Sequence, residues 1–115
     1  MTKYLISFDD GAMVFPEEDL PAVSDAAHAV IREAQEAGVF VFGGGLTSYR
    51  EVSVVDTDGK VTDGPAPEGK AFMGGLTIVD VATREQALAW AAKIAVACRC
   101  AQEVREIMDD PALDE

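Results

Sequence analysis

The chain has 115 residues, 49% hydrophobic and 26% charged, and its 21 acidic residues against 9 basic ones give a formal net charge of -12. That is the length of one domain, too short for two independent cores, and its longest apolar runs break well before the roughly 18 residues that a membrane span needs. So acidic a surface repels phosphate backbones and anionic lipid unless basic residues are concentrated, and here they are scattered from Lys3 to Arg105, so neither nucleic acid nor a membrane is an expected partner.

The first strand runs from Lys3 to Phe8 and stops at Asp9-Asp10-Gly11, with no signal-peptide apolar region before the acids; the chain reads as cytoplasmic. Leu20, Val23, Ala27, Val30, Ile31, Ala34 and Ala37 recur at helical spacing, and Gly38 stands at the C-terminal cap. The preceding Glu17, Glu18 and Asp19 complement that helix's dipole. Val39-Phe40-Val41-Phe42 makes a buried strand that runs into Gly43-Gly44-Gly45. A third strand holds Val52, Val54 and Val55, and Asp58-Gly59 before Lys60-Val61-Thr62 predicts a hairpin with a type I′ turn. A Pro- and Gly-rich loop covers 63–70, and a strand resumes over 76–81. Thr83 and Gln86 form the capping box of a second helix whose stripe is Ala87, Trp90, Ala91, Ile94 and Cys98. The last strand is expected over 102–108, with Val104 and Ile107 inward. One domain is expected over 1–108, followed by an acidic tail at 109–115.

This order predicts a ferredoxin-like α+β sandwich with an extra β-hairpin, its antiparallel sheet carrying two helices on one face. The strands do not alternate cleanly between apolar and polar. Tyr4, Ile6 and Phe8 oppose Leu5, and Phe40 and Phe42 oppose Val39 and Val41. A sheet apolar on both faces needs cover on both. The helix-free face is therefore expected to pack on the same face of a second copy, giving a homodimer.

Val61-Thr62-Asp63-Gly64-Pro65, then Glu68 and Lys70, then Met73-Gly74-Gly75, resembles the DGPF motif and the downstream Glu/Lys/Gly-Gly pattern of the YCII-related protein family. Gly43-Gly44-Gly45-Leu46, Ala87 to Ala92 and Val104-Arg105-Glu106-Ile107 extend the resemblance, in order, across almost the whole chain. It implies a dimeric α+β barrel built from ferredoxin-like protomers, in a family most of whose members have no established activity. Ala66 stands where the motif has its phenylalanine and Ala71 where an acid is frequent, so a pocket loop would be reshaped. The resemblance also matches His28 to a first-helix histidine of short members, paired there with an aspartate after the second helix. This chain has Ile94-Ala95 in that region, which leaves Asp63 or Asp9 to complete the pair.

His28 is the only histidine and lies one residue off the helix stripe. From there its imidazole would enter the space between helix and sheet as an acid or base, or stay on the surface beside Asp25 and Arg32. One histidine makes no ordinary metal site, and neither a metal nor a cofactor is expected. Cys98 and Cys100 are too close for an ordinary disulfide and lack further zinc ligands, so they read as reduced, packed thiols, with Arg99 favouring the thiolate of either one that is exposed. Gly43-Gly44-Gly45 leads into a strand rather than a helix, which argues against a phosphate loop; such glycines mark a bulge or the close approach of a ligand or another backbone.

Gly44, Gly45, Gly64 and Gly75 are accordingly expected on one rim at the strand ends. Asp63 would orient His28, or else cap its own turn. Lys70 or Arg50 would hold an anion, or pair with Glu68 or Glu51. Two functions stay open. One is an enzyme doing lyase- or isomerase-like proton transfer on a small organic acid or ring compound, which fold analogy favours. The other is a non-catalytic ligand-binding or regulatory module, linked to transcription control, which the missing second-helix acid favours.

Overall fold

The computed structural model describes residues 1–64 and 72–113. In chain order it contains β1 (Thr2–Asp9), α1 (Leu20–Glu36), β2 (Phe40–Gly45), β3 (Ser53–Val55), β4 (Val61–Asp63), β5 (Met73–Val81), α2 (Arg84–Cys98) and β6 (Glu103–Glu106). Four strands pair antiparallel in the order β2-β5-β1-β6, and β3 and β4 form a separate ribbon. This is the expected ferredoxin-like α+β topology with an inserted hairpin. None of the described helices is long and apolar enough to cross a membrane.

The core lies on one face of the sheet. Tyr4 and Ile6 of β1 meet Val79 and Val81 of β5, and α2 lays Ala87, Ala91, Ile94 and Cys98 on them, while α1 adds Ala27 and Val30. Ile6 and Val79 are 1% and 0% exposed, and burying each side chain contributes about 1.5–3 kcal/mol. At the two ends of the expected α1 stripe, Leu20, the first residue of the helix, and Ala37, its C-cap, are exposed instead.

Local signals set the helix ends. At the end of α1, Gly38 takes φ +74° and its N–H donates to Gln35 O, while Val39 N–H donates to Ala34 O. These two bonds make a Schellman cap, which favours glycine at the left-handed position. Thr83 Oγ1 accepts from Gln86 N–H, and the Gln86 side chain accepts from Thr83 N–H, completing the predicted capping box. Arg99 ends α2 at φ +58°, a conformation that costs a non-glycine residue. Its guanidinium meets Asp19 at 2.7 Å and lies over the Phe15 ring. Asp19 is thus an ion-pair partner and makes no cap of its own.

Three details of the strands differ from the sequence reading. The hairpin turn is not type I′, which needs positive φ at both central residues; only Gly59 has it, at +86°. Gly59 N–H donates to Asp56 O and Asp56 N–H to Lys60 O, a type I turn followed by a glycine bulge. β5 begins at Met73, so Gly74 and Gly75 belong to the strand. β6 stops at Glu106, leaving Ile107 38% exposed although its N–H still reaches Lys3 O.

A fourth difference matters more for the site. Phe40 pairs with Val79 but Phe42 pairs with Ile78, so Val41 is the extra residue of a β-bulge. Phe40 and Phe42 therefore face opposite sides rather than the same one. On the helix-free face Phe42, Ile78, Leu5 and Arg105 stand in one row across all four strands. Phe42 is 61% exposed there.

Candidate functional site

The register places the glycines at one end of the sheet and decides which of them look toward the helices. On the helix side one row runs Gly43, Thr77, Ile6, Val104, and the next runs Gly45, Gly75, Phe8. Three of these seven positions have no side chain. The space they leave is a cleft of about 350 Å³ between this end of the sheet and the helices. Phe8, Phe40 and Leu76 line it from the strands, Ala27, His28, Val30 and Ile31 from α1, Ile94 and Cys98 from α2, and Met13 from the loop after β1.

Not every glycine is there for the same reason. A Cβ at Gly75 would lie 2.5 Å from Phe8 Cζ, so the Phe8 ring covers Gly75 and forms part of the floor. A Cβ at Gly43 would meet Leu76 O at 3.2 Å and the Phe40 ring at 3.3 Å. At Gly44 and Gly45 nothing lies within 4 Å. Leu46 N–H donates to Gly74 O, so by the alternation of an antiparallel ladder Gly43 and Gly45 turn their own N–H and C=O off the free edge of β2.

His28 belongs to this lining from α1 and is an exposed residue, at the cleft and open to solvent at once. Its Nδ1 is 3.4 Å from Ser24 Oγ, one helical turn earlier, which leaves Nε2 for another partner. Thr77 and Cys98 are the other polar side chains of the cleft. Burial pushes the Cys98 thiol above its ordinary value, and Cys100 nearby raises it further. Burial also raises Cys100, against a hydrogen bond from Gln102 that lowers it. Both cysteines are free thiols, as expected. Arg99 is turned to Asp19, and neither thiol is shifted toward thiolate.

The sequence-predicted residues fall into two groups. His28, Gly44 and Gly45 line the cleft, and Gly75 lies directly across from Gly45. Asp63, Gly64 and Arg50 belong instead to the hairpin region. The Asp63 carboxylate accepts from Ser53 Oγ at 2.5 Å across the β3 and β4 ribbon. Gly64 packs on Arg50 O and Val52, where a Cβ would come within 2.8 Å, and the Arg50 guanidinium lies over the Tyr49 ring. Among the described residues no carboxylate is hydrogen-bonded to His28. Asp9 is exposed at the end of β1, and the carboxylate of its neighbour Asp10 accepts from Tyr49 N–H. Lys70 lies outside the described residues. No group of three or more described His, Cys, Asp or Glu side chains is arranged to hold a metal ion.

Sequence reasoning missed Thr77, Phe8 and Met13 as cleft residues. A threonine in an apolar strand carries no signal beyond β-propensity, and only the register shows that it stands between Gly43 and Ile6.

No curated protein matches the chain. The YCII-related domain model matches residues 2–110, which takes in every strand, both helices and the glycine-lined cleft, and the chain belongs to that YCII-related family.

Proposed function

We propose that this YCII-related protein works as a homodimer that takes a small organic ring compound or acid into the cleft beneath α1, where His28 moves a proton in lyase- or isomerase-like chemistry. The observation that carries the reading is His28 in the wall of a cleft whose floor is bare of side chains at Gly43 and Gly45. Apolar walls around one imidazole suit a flat molecule that needs a general acid or base. The homodimer rests on the row of Phe42, Ile78 and Leu5 on the helix-free face, since a sheet apolar on that side needs a cover. Val54, Val55 and Val61 of the hairpin are also more than half exposed and would extend the contact.

A second reading is ligand binding without chemistry, in a sensing or regulatory role. It is favoured by the engagement of Asp63 with Ser53 and by the absence of a carboxylate on His28 among the described residues. One experiment separates the two. Wild-type protein and His28→Gln are incubated with a set of small lactones, enols and ring acids, with consumption followed by NMR. Consumption by the wild type that His28→Gln abolishes, with dimer mass and ligand binding retained, supports catalysis. Turnover that survives the substitution refutes it, and binding without consumption by the wild type leaves the second reading. A monomer in sedimentation velocity at micromolar concentration would refute the dimer.

A further inference from the structure

Thr77 is 8% exposed, lines the cleft, and makes no side-chain hydrogen bond among the described residues. On the helix side its neighbours across the strands are Gly43, which offers no side chain to cover it, and Ile6, which offers no polar atom. The Thr77 hydroxyl oxygen is not fully buried, unlike the unpartnered Asp80 Oδ1 and Gln102 Oε1, so it can donate to or accept from a molecule in the cleft. The remaining described side chains of the lining are apolar apart from His28 and Cys98, and none is Lys or Arg. A carboxylate or phosphate entering this cleft would lose its water without meeting a cation, in a chain of net charge -12.

We infer that Thr77 is the polar anchor of the cleft, and that the ligand is a small ring compound presenting an uncharged oxygen, a hydroxyl or a carbonyl, to the Thr77 hydroxyl. This rests on the cleft being a ligand site, and it selects the ring compound over the organic acid. The apolar body of the ligand lies against Ile31 and Ile94, and its flat edge passes Gly45, where nothing in the chain stands within 4 Å of a Cβ position.

The test uses phenol, toluene and benzoate as probes, titrated into the full chain with the amide resonances of Gly43, Gly45 and Thr77 as reporters. The phenol-to-toluene affinity ratio of the wild type is the reference, since one hydrogen bond to the Thr77 hydroxyl offsets the water that the phenol hydroxyl gives up. Thr77→Val, which keeps the β-branched shape, leaves the phenol hydroxyl without its partner and should lower that ratio about tenfold, and Thr77→Ser should restore it. Equal preference in the wild type and Thr77→Val would overturn the anchor while leaving the cleft as a ligand site. Benzoate binding more tightly than phenol would overturn the uncharged ligand class. Failure of all three probes to move the reporters would overturn both this inference and the reading of the cleft on which it rests.

Discussion

Gly75→Ala and Gly45→Ala add the same methyl group to facing positions of β5 and β2 and should act in opposite directions. At Gly75 the new Cβ would stand 2.5 Å from Phe8 Cζ and 2.7 Å from Cε1. Carbon atoms in contact prefer about 3.5–4.0 Å, so the Phe8 ring must withdraw by roughly 1 Å, toward the cleft. Overpacking of this kind costs about 1–3 kcal/mol, offset by roughly 0.5–1 kcal/mol for replacing glycine inside a strand. At Gly45 no atom lies within 4 Å and φ is not in the left-handed region. Only the loss of unfolded-chain freedom acts there, which stabilises by about 0.4–1 kcal/mol. Urea unfolding followed by the fluorescence of the single tryptophan, Trp90, measures both at one protein concentration. Gly75→Ala should lower the midpoint and Gly45→Ala should hold or raise it. Placing Phe8→Ala with Gly75→Ala should cost less than the two single changes added together, because the clash is gone. A midpoint unchanged or raised by Gly75→Ala, or lowered equally by both alanines, would refute the assignment of Phe8 to the floor of the cleft.

Three further outcomes are expected from the same unfolding assay. Ile6→Ala, at 1% exposure in the middle of the sheet, should cost about 2–5 kcal/mol through lost burial and a residual cavity. Thr83→Ala removes the hydroxyl that accepts from Gln86 N–H and should cost about 0.5–2 kcal/mol, with α2 fraying first in hydrogen exchange. The pH dependence follows from Cys98. Its folded-state thiol holds its proton more tightly than the unfolded one, whose ordinary value is 9.0. Above that pH the unfolded chain ionises first, so the contribution is intact below about 9 and is lost as pH rises through the folded value. Cys98→Ala should flatten that decline, and an equal decline in the variant would refute the assignment.

Signals confined to a few neighbouring residues were legible in the sequence. The capping box at Thr83 and Gln86 and the cap glycine at Gly38 need nothing but their own helices to act, and the opposition of Tyr4, Ile6 and Phe8 to Leu5 follows from the period of a strand. Features decided by pairing were not. Asp58-Gly59 reads as a two-residue turn until Asp56 N–H and Lys60 O close a longer one. The Val41 bulge exists only against β5. Asp63 carries a turn-forming side chain, but cross-strand pairing with Ser53 sets where its carboxylate goes. His28, Gly44 and Gly45 were legible as candidates because a lone histidine and a run of glycines are conspicuous, whereas Thr77 acquires its meaning from the two strands beside it.

The bulge in β2 also keeps count for the strand. Before it, residues are in phase with one side of the sheet, and after it the phase advances by one, so that Phe40 lines the cleft while Gly43 and Gly45 both fall beneath α1. An unbulged strand of the same length would put either Phe40 on the wrong side or Gly44 alone under the helix. Val41 is therefore the residue that β2 can give up without disturbing that arithmetic: its deletion leaves Phe40 opposite Val79 and Phe42 opposite Ile78. Removing any one residue from 42 to 45 would instead shift the glycines relative to β5 and turn part of the cleft floor to the other face of the sheet.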